Sequence, residues 1–268
     1  MIKQLFQKKC SILSIKRLAL RIFSHEYECP EVASCARPGQ FLQIRIEENF
    51  SLLLPRPFSI FNTNEKMGTV SIIFKVIGTG TELLAKKNIG DTVWIFGPLG
   101  NSFRTDTYKS HLLVAGGIGL PPLYFLLKRN IPTDFKAQLF FGTATKDELF
   151  VMDELNAFSI PIVYTTEDGS FGKKGLVTEP FEDELKRYAQ RTDVSIYACG
   201  PLPMLSEVQK LALKYGIPAQ ISVETMMACG FGLCQGCVMP AKKSGGDVIN
   251  YHLVCTEGPI FNAGDLEL

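Results

Sequence analysis

The chain lacks the features that would send it to a membrane or to nucleic acid. No apolar run in its 268 residues approaches the roughly 20 that a helix needs to cross a bilayer. Lys and Arg number 28 against 27 Asp and Glu, a net charge of +1, so no excess of one sign steers it toward nucleic acid or a charged lipid surface. Histidine is scarce: His25, His111 and His252 are all there are, and they suggest neither a His-based metal site nor a Ser–His–Asp triad. No acid–base pair suited to substrate chemistry stands out. The lysine-bearing start, Met1 to Lys9, runs into Lys16, Arg17 and Arg21 rather than an apolar signal core, so a cytoplasmic location is expected.

Cysteine, by contrast, is plentiful and unevenly placed. Of eight in all, four stand at Cys229, Cys234, Cys237 and Cys255. A disulfide framework suits a short secreted chain, whereas clustered thiols in a chain of this length read as ligands to a metal or an iron–sulfur cluster. Cys10, Cys29 and Cys35 have no ligand-like spacing and read as incidental.

A composition of 46% hydrophobic and 21% charged residues supports ordinary cores, and the length suffices for two compact domains plus a small appendage. Up to about residue 105 the pattern is β. Phe41-Leu-Gln-Ile-Arg-Ile46 and Thr69-Val-Ser-Ile-Ile-Phe-Lys-Val76 alternate apolar and polar side chains between Pro- and Gly-bearing turns, which predicts a small antiparallel barrel. Beyond residue 108 apolar strands alternate with helical stretches. His111–Ala115, Ala137–Phe141, Pro161–Thr165 and Val194–Ala198 are the strands, and Pro203–Tyr215 is a helix with Met204, Val208, Leu211 and Tyr215 on one face. That alternation implies a doubly wound parallel sheet. After Val223 the chain turns Gly- and Cys-rich and is too short to bury a core of its own. Three segments are expected: a barrel over 1–107, an α/β domain over 108–222 and a small cysteine-bearing domain over 223–268.

The thiol spacing is the strongest motif. Cys229-x4-Cys234-x2-Cys237, with Cys255 a further 17 residues on, matches the plant-type arrangement for a [2Fe–2S] cluster. Gly230, Gly232 and Gly236 allow a tight curl and expose backbone N–H groups to sulfur. A structural zinc held by four thiolates is the competing reading, although such sites usually show two closely spaced Cys pairs and Cys255 has no neighbour. Arg56-Pro57-Phe58-Ser59 and Gly78-Thr-Gly80-Thr81 could together meet a pyrophosphate and a polar ring. Gly116-Gly117-Ile-Gly119 follows a strand and opens a helix, as a dinucleotide phosphate requires. Asp147 and Glu148 are the candidate ribose partners. Cys199-Gly200-Pro201 ends another strand of the same sheet, where open α/β folds bind ligands.

Along nearly the whole chain, in this order, these motifs resemble the ferredoxin–NADP reductase superfamily. The tail, Glu224-Thr-Met-Met-Ala-Cys-Gly-Phe-Gly-Leu-Cys-Gln-Gly-Cys-Val238 with Val254-Cys-Thr-Glu-Gly-Pro-Ile-Phe261, resembles the electron transfer subunits of NAD-dependent dihydroorotate dehydrogenases of type B. The resemblance implies one FAD, one [2Fe–2S] cluster and use of NAD. It also implies an FMN-containing catalytic subunit as partner, in a heterotetramer of two plus two serving pyrimidine biosynthesis. Carried over by position, Arg56, Pro57, Phe58, Ser59, Ile73, Phe74, Lys75, Gly80 and Thr81 would contact FAD, and the four cysteines would be the cluster ligands. Lys75 stands where the family pattern leads one to expect Arg. The Val238–Val254 loop is long, with Lys242-Lys-Ser-Gly-Gly246 reading as a hairpin tip. Related subunits of sulfide dehydrogenases or NADH-dependent ferredoxin:NADP+ oxidoreductases are the alternative, and a zinc-stabilised nucleotide-binding module is the non-enzyme one.

Overall fold

The computed structural model describes residues 5–46, 52–105, 107–130, 136–242 and 250–268. The tip expected at Lys243 to Gly246 lies outside them. Six strands close the first segment into a barrel: β1 (Phe6–Ala19), β2 (Ile22–Glu28), β3 (Phe41–Arg45), β4 (Arg56–Asn64), β5 (Thr69–Lys75) and β6 (Thr92–Leu99), in the order β1-β2-β5-β4-β3-β6. Every neighbouring pair is antiparallel, and β1 serves both β2 and β6, which removes any open edge. Alternation works as the sequence implies: Leu42, Ile44, Ile60, Val70, Ile72 and Ile95 fill the interior.

Two short helices interrupt this β segment. In α1 (Pro30–Cys35) a proline at the first turn starts the helix, and Val32 is buried against the barrel core. This helix was not evident from the alternating pattern, because six residues are too few to show a helical period. The second, α2 (Thr79–Ala85), starts within the glycine turn itself. Thr81 is the reason: its hydroxyl accepts from the N–H groups of Ile77 and Gly78 at 3.0 and 3.2 Å, tying the preceding turn to the helix. Cys10 and Cys29, which no spacing rule connects, meet inside the barrel with their thiols hydrogen-bonded.

The second segment contains β7 (Ser110–Gly116), α3 (Leu120–Asn130), β8 (Lys136–Thr143), α4 (Met152–Asn156), β9 (Ile162–Thr166), β10 (Lys173–Lys174), α5 (Thr178–Leu185), β11 (Val194–Cys199), α6 (Leu202–Tyr215) and β12 (Ala219–Ser222). All its strand pairings are parallel. β7 and β11 are buried at every position, which is why they read as unbroken apolar runs rather than alternating ones. The buried face of α6 is carried by Leu205, Val208, Leu211 and Ala212; Met204 and Tyr215, expected on it, flank it half-buried.

The tail adds a two-stranded hairpin, β13 (Val238–Pro240) with β14 (Tyr251–Leu253), and a last strand, β15 (Ile260–Asn262). β15 pairs antiparallel with β12 and so completes a seven-stranded sheet of order β10-β9-β8-β7-β11-β12-β15. Side chains fasten it further. Asn101 bonds the backbone of Glu257 and Ile260, and the Gln209 amide donates to the carbonyls of Ala263 and Leu266 at 2.5 and 2.8 Å. The segment that is too short for its own core borrows the neighbouring one. Among the described residues no helix is long and apolar enough to cross a membrane.

Candidate functional site

The sheet reverses its winding between β7 and β11, because β8 follows β7 on one side and β11 lies on the other. Open α/β sheets bind ligands at such a switch point. Both glycine-bearing motifs of this segment end there, since Ala115 is paired with Cys199. The chains approach so closely that a Cβ on Gly119 would lie 2.2 Å from the Cys199 carbonyl oxygen, and one on Gly116 2.7 Å from Pro201. Nothing stands within 4 Å of the corresponding point at Gly117, so the turn's outer side is open to a ligand. Pro121 and Pro122 carry no N–H, which leaves the backbone of the Gly117–Gly119 turn to supply donors to an anion. Burial pushes the Cys199 thiol up, with the Glu224 carboxylate adding to it; the side chain is neutral and packs as a small apolar group.

On the barrel, Arg56, Pro57, Phe58 and Ser59 open β4, and Ile73, Phe74 and Lys75 close β5. Their side chains divide by face. Phe58 and Phe74 turn into the barrel, with ring centroids 5.7 Å apart, and Ile73 packs with Leu113 and Leu123 of the α/β segment. Arg56 lies across Gly80, its Nε 2.9 Å from where a Cβ there would stand, so the arginine and the Gly78–Thr81 turn form one surface. The Arg56 guanidinium donates to the Leu54 carbonyl at 2.5 Å, and a fork-shaped cation beside a glycine turn fits a pyrophosphate. Lys75 pairs with Glu148 at 2.5 Å. The two residues expected near FAD and near a ribose therefore join the barrel to the sheet.

The hairpin assembles half of the cysteine site. Val238 pairs with Leu253, and this register sets Cys237 beside Cys255, with Sγ atoms 3.0 Å apart. The other half is the loop itself: Cys229 Sγ accepts from the N–H groups of Phe231 and Cys234 at 3.5 and 3.4 Å and contacts the Cys234 side chain. Burial pushes the Cys229 thiol up, but the N–H groups of Cys234 and Phe231 outweigh it and bring the thiol down to about 7. Burial, and then the hydrogen bond with Cys237, pushes the Cys255 thiol up to about 12.

The thiols thus lie as two pairs. A [2Fe–2S] unit takes two thiolates on each of two irons, and a donor set of two thiol pairs fits that demand.

One residue of this site escapes sequence reading. Gln43, at a polar position of an alternating strand, would be taken as solvent-facing. The tail folds over it and leaves it 1% exposed. Only the Gly-rich loop after Cys229, which needs a surface to lie on, hints at such a partner.

A closed antiparallel barrel followed by a doubly wound sheet with a glycine turn at its switch point defines a ferredoxin-reductase-like oxidoreductase. A ferredoxin NADP+ reductase from Neisseria gonorrhoeae solved with FAD and NADP shares that fold, with a TM-score of 0.66 at 21% identity over 78% of this chain and 92% of its own. Residues 113–210 match the oxidoreductase NAD-binding domain, and residues 224–267 match the iron–sulfur cluster binding domain of dihydroorotate dehydrogenase B. The chain is 36% identical to the dihydroorotate dehydrogenase B (NAD(+)) electron transfer subunit of Geobacillus thermodenitrificans, over 98% of this chain and 99% of that one. It is 35% identical to the Fusobacterium nucleatum counterpart, over 97% and 98%. A solved NADH-dependent reduced ferredoxin-NADP oxidoreductase is 30% identical, with a TM-score of 0.85 over 96% of this chain and 89% of its own. The chain belongs to the family of dihydroorotate dehydrogenase B (NAD(+)) electron transfer subunits.

Proposed function

We propose that this chain is the electron transfer subunit of an NAD-dependent dihydroorotate dehydrogenase, which when loaded passes electrons from dihydroorotate, oxidised in a partner subunit, through a [2Fe–2S] cluster and FAD to NAD+. The observation that carries the reading is the two-by-two pairing of Cys229 with Cys234 and of Cys237 with Cys255 beside a reductase fold. The four thiolates would hold the cluster. Arg56 and the Gly80-Thr81 turn would hold the FAD pyrophosphate, with Pro57, Phe58, Ser59, Ile73, Phe74 and Lys75 along the rest of the molecule. Gly116, Gly117 and Gly119, with Cys199 and Gly200 behind them, would seat NAD.

These residues bind and orient; the described site offers no acid–base pair for substrate chemistry. That division of labour requires a second subunit, and we take it to be an FMN-containing catalytic chain in a two-plus-two assembly. The cysteine loop supports this. Met226 and Leu233 are 89% and 78% exposed, and Phe231 and Val238 are also exposed, an apolar rim suited to a protein partner. The division into segments 1–107, 108–222 and 223–268 and a cytoplasmic setting belong to the same proposal.

The likeness to the NADH-dependent ferredoxin:NADP+ oxidoreductase favours a second reading with the same cofactors and a different partner. Co-expression with an FMN-binding barrel subunit separates the two. A complex that reduces NAD+ with dihydroorotate supports the first; a fully flavinated and iron-loaded complex inert to dihydroorotate overturns it.

A further inference from the structure

Strand β3, which pairs with the flavin motif, and the loop that carries the cysteines meet at one side chain, Gln43. β3 is bulged against β6 between Phe41 and Gln43, and such an irregularity re-aims a side chain. Gln43 stands opposite Pro57 on β4 and opposite Phe96 on β6. Although buried, neither its amide nitrogen nor its amide oxygen has a hydrogen-bond partner among the described residues. A buried polar group left so is costly, and native structures seldom keep one without a use.

The surroundings indicate the use. Gln43 Cγ and Nε2 lie 2.7 and 3.1 Å from the point where a Cβ on Gly230 would stand. Gly230 follows Cys229 directly and has a φ of +81°, so both its conformation and its contact with Gln43 call for glycine. Gln43 and Cys229 also line one cleft of about 630 Å³, together with Trp94, Phe96 and Phe231. The thiolate and sulfide sulfurs of an iron–sulfur centre accept hydrogen bonds, and an amide N–H is a neutral donor that adds no charge.

We propose that Gln43 is a positioning residue of the cluster site: its amide N–H donates to sulfur at the Cys229 end and raises the potential of the centre. The proposal rests on the [2Fe–2S] reading above. Hydrogen bonds to sulfur stabilise the reduced, more negative state, so the donor would ease electron entry from the partner. The same residue pairs with Pro57 through its strand and meets Gly230 through its side chain, which links the flavin strand to the thiol loop at a single position.

The test uses the full chain in its complex, with Gln43→Leu and the isosteric Gln43→Glu. Iron and sulfide content, the electron paramagnetic resonance spectrum of the reduced centre and its midpoint potential are measured in each. The expected result is wild-type iron content, shifted g values and a midpoint more negative than wild type in both variants. If Gln43→Leu fails to hold iron, the Gln43→Glu protein decides. A midpoint and spectrum unchanged in an iron-loaded variant overturn the proposal. A wild-type protein that carries zinc instead of iron overturns the cluster reading itself, and with it this inference.

Discussion

Asn101 and Ile260 bind each other in both directions: the Asn101 amide donates to the Ile260 carbonyl at 2.8 Å, and the Ile260 N–H donates to Asn101 Oδ1 at 3.0 Å. The same amide reaches the Glu257 carbonyl at 2.7 Å. One side chain after the barrel's last strand thus holds the segment that follows Cys255. Asn101→Ala would leave these backbone groups without their partner, at a cost of about 1–3 kcal/mol. Urea unfolding of the cluster-loaded chain should show it, together with faster loss of iron to a chelator. Equal stability and equal iron loss would show that β15 holds the tail unaided.

At the switch point, two neighbouring glycines should behave differently. Gly119→Ala places a methyl group 2.2 Å from the Cys199 carbonyl oxygen and must push β7 and β11 apart, so NADH should no longer reduce the flavin. Gly117→Ala meets no atom within 4 Å. It costs about 1–2 kcal/mol for its left-handed backbone, and the sheet beneath stays intact. Stopped-flow reduction by NADH distinguishes them; equal rates in both variants would contradict the close approach.

Cys234 is the exposed member of the thiol set. Cys234→Ser should abolish electron flow from dihydroorotate to NAD+, while NADH still reduces the flavin in the same protein, because neither Arg56 nor Gly119 depends on the loop. Unchanged turnover with dihydroorotate would take Cys234 off the path.

Acid should weaken the fold through His25 and His111. Burial lowers both from 6.5 to about 4, so the unfolded chain binds protons more readily than the folded one. Stability from these groups is complete above pH 6.5 and falls as the pH drops toward 4. The loss is about 1.4 kcal/mol per pH unit for each histidine, and levels off once the folded form is itself protonated. His25→Phe, with the ring kept edge-on to Phe74, whose centroid is 5.0 Å away, should flatten part of that acid limb in urea titrations between pH 4 and 7. An acid limb unchanged by the variant would place the titration elsewhere.

Much of this was legible because periodicity and spacing are local. The barrel, the parallel strands, Gly116–Gly119 and the four cysteines are each written in short stretches. What was not legible depends on distant contacts. Gln43 alternates like any surface residue of a strand, yet the loop after Cys229 lies against it. Lys75 and Glu148 each suggested a separate ligand, yet 73 positions apart in sequence they pair with one another. Met204 and Tyr215 fit the helical period of α6 but sit at the margin of its buried face, and the turn after β15 meets the helix at Gln209 instead.

The strand β15 has a second role besides anchoring cysteines. Were the chain cut after Val223, β12 would end the sheet, and its backbone donors and acceptors, flanked by Ala219 and Ile221, would form an open apolar edge. Such edges recruit other chains. The tail that carries the cysteines is therefore also the cover of the sheet's last edge, and removing it as a block would expose that edge where altering it residue by residue would not.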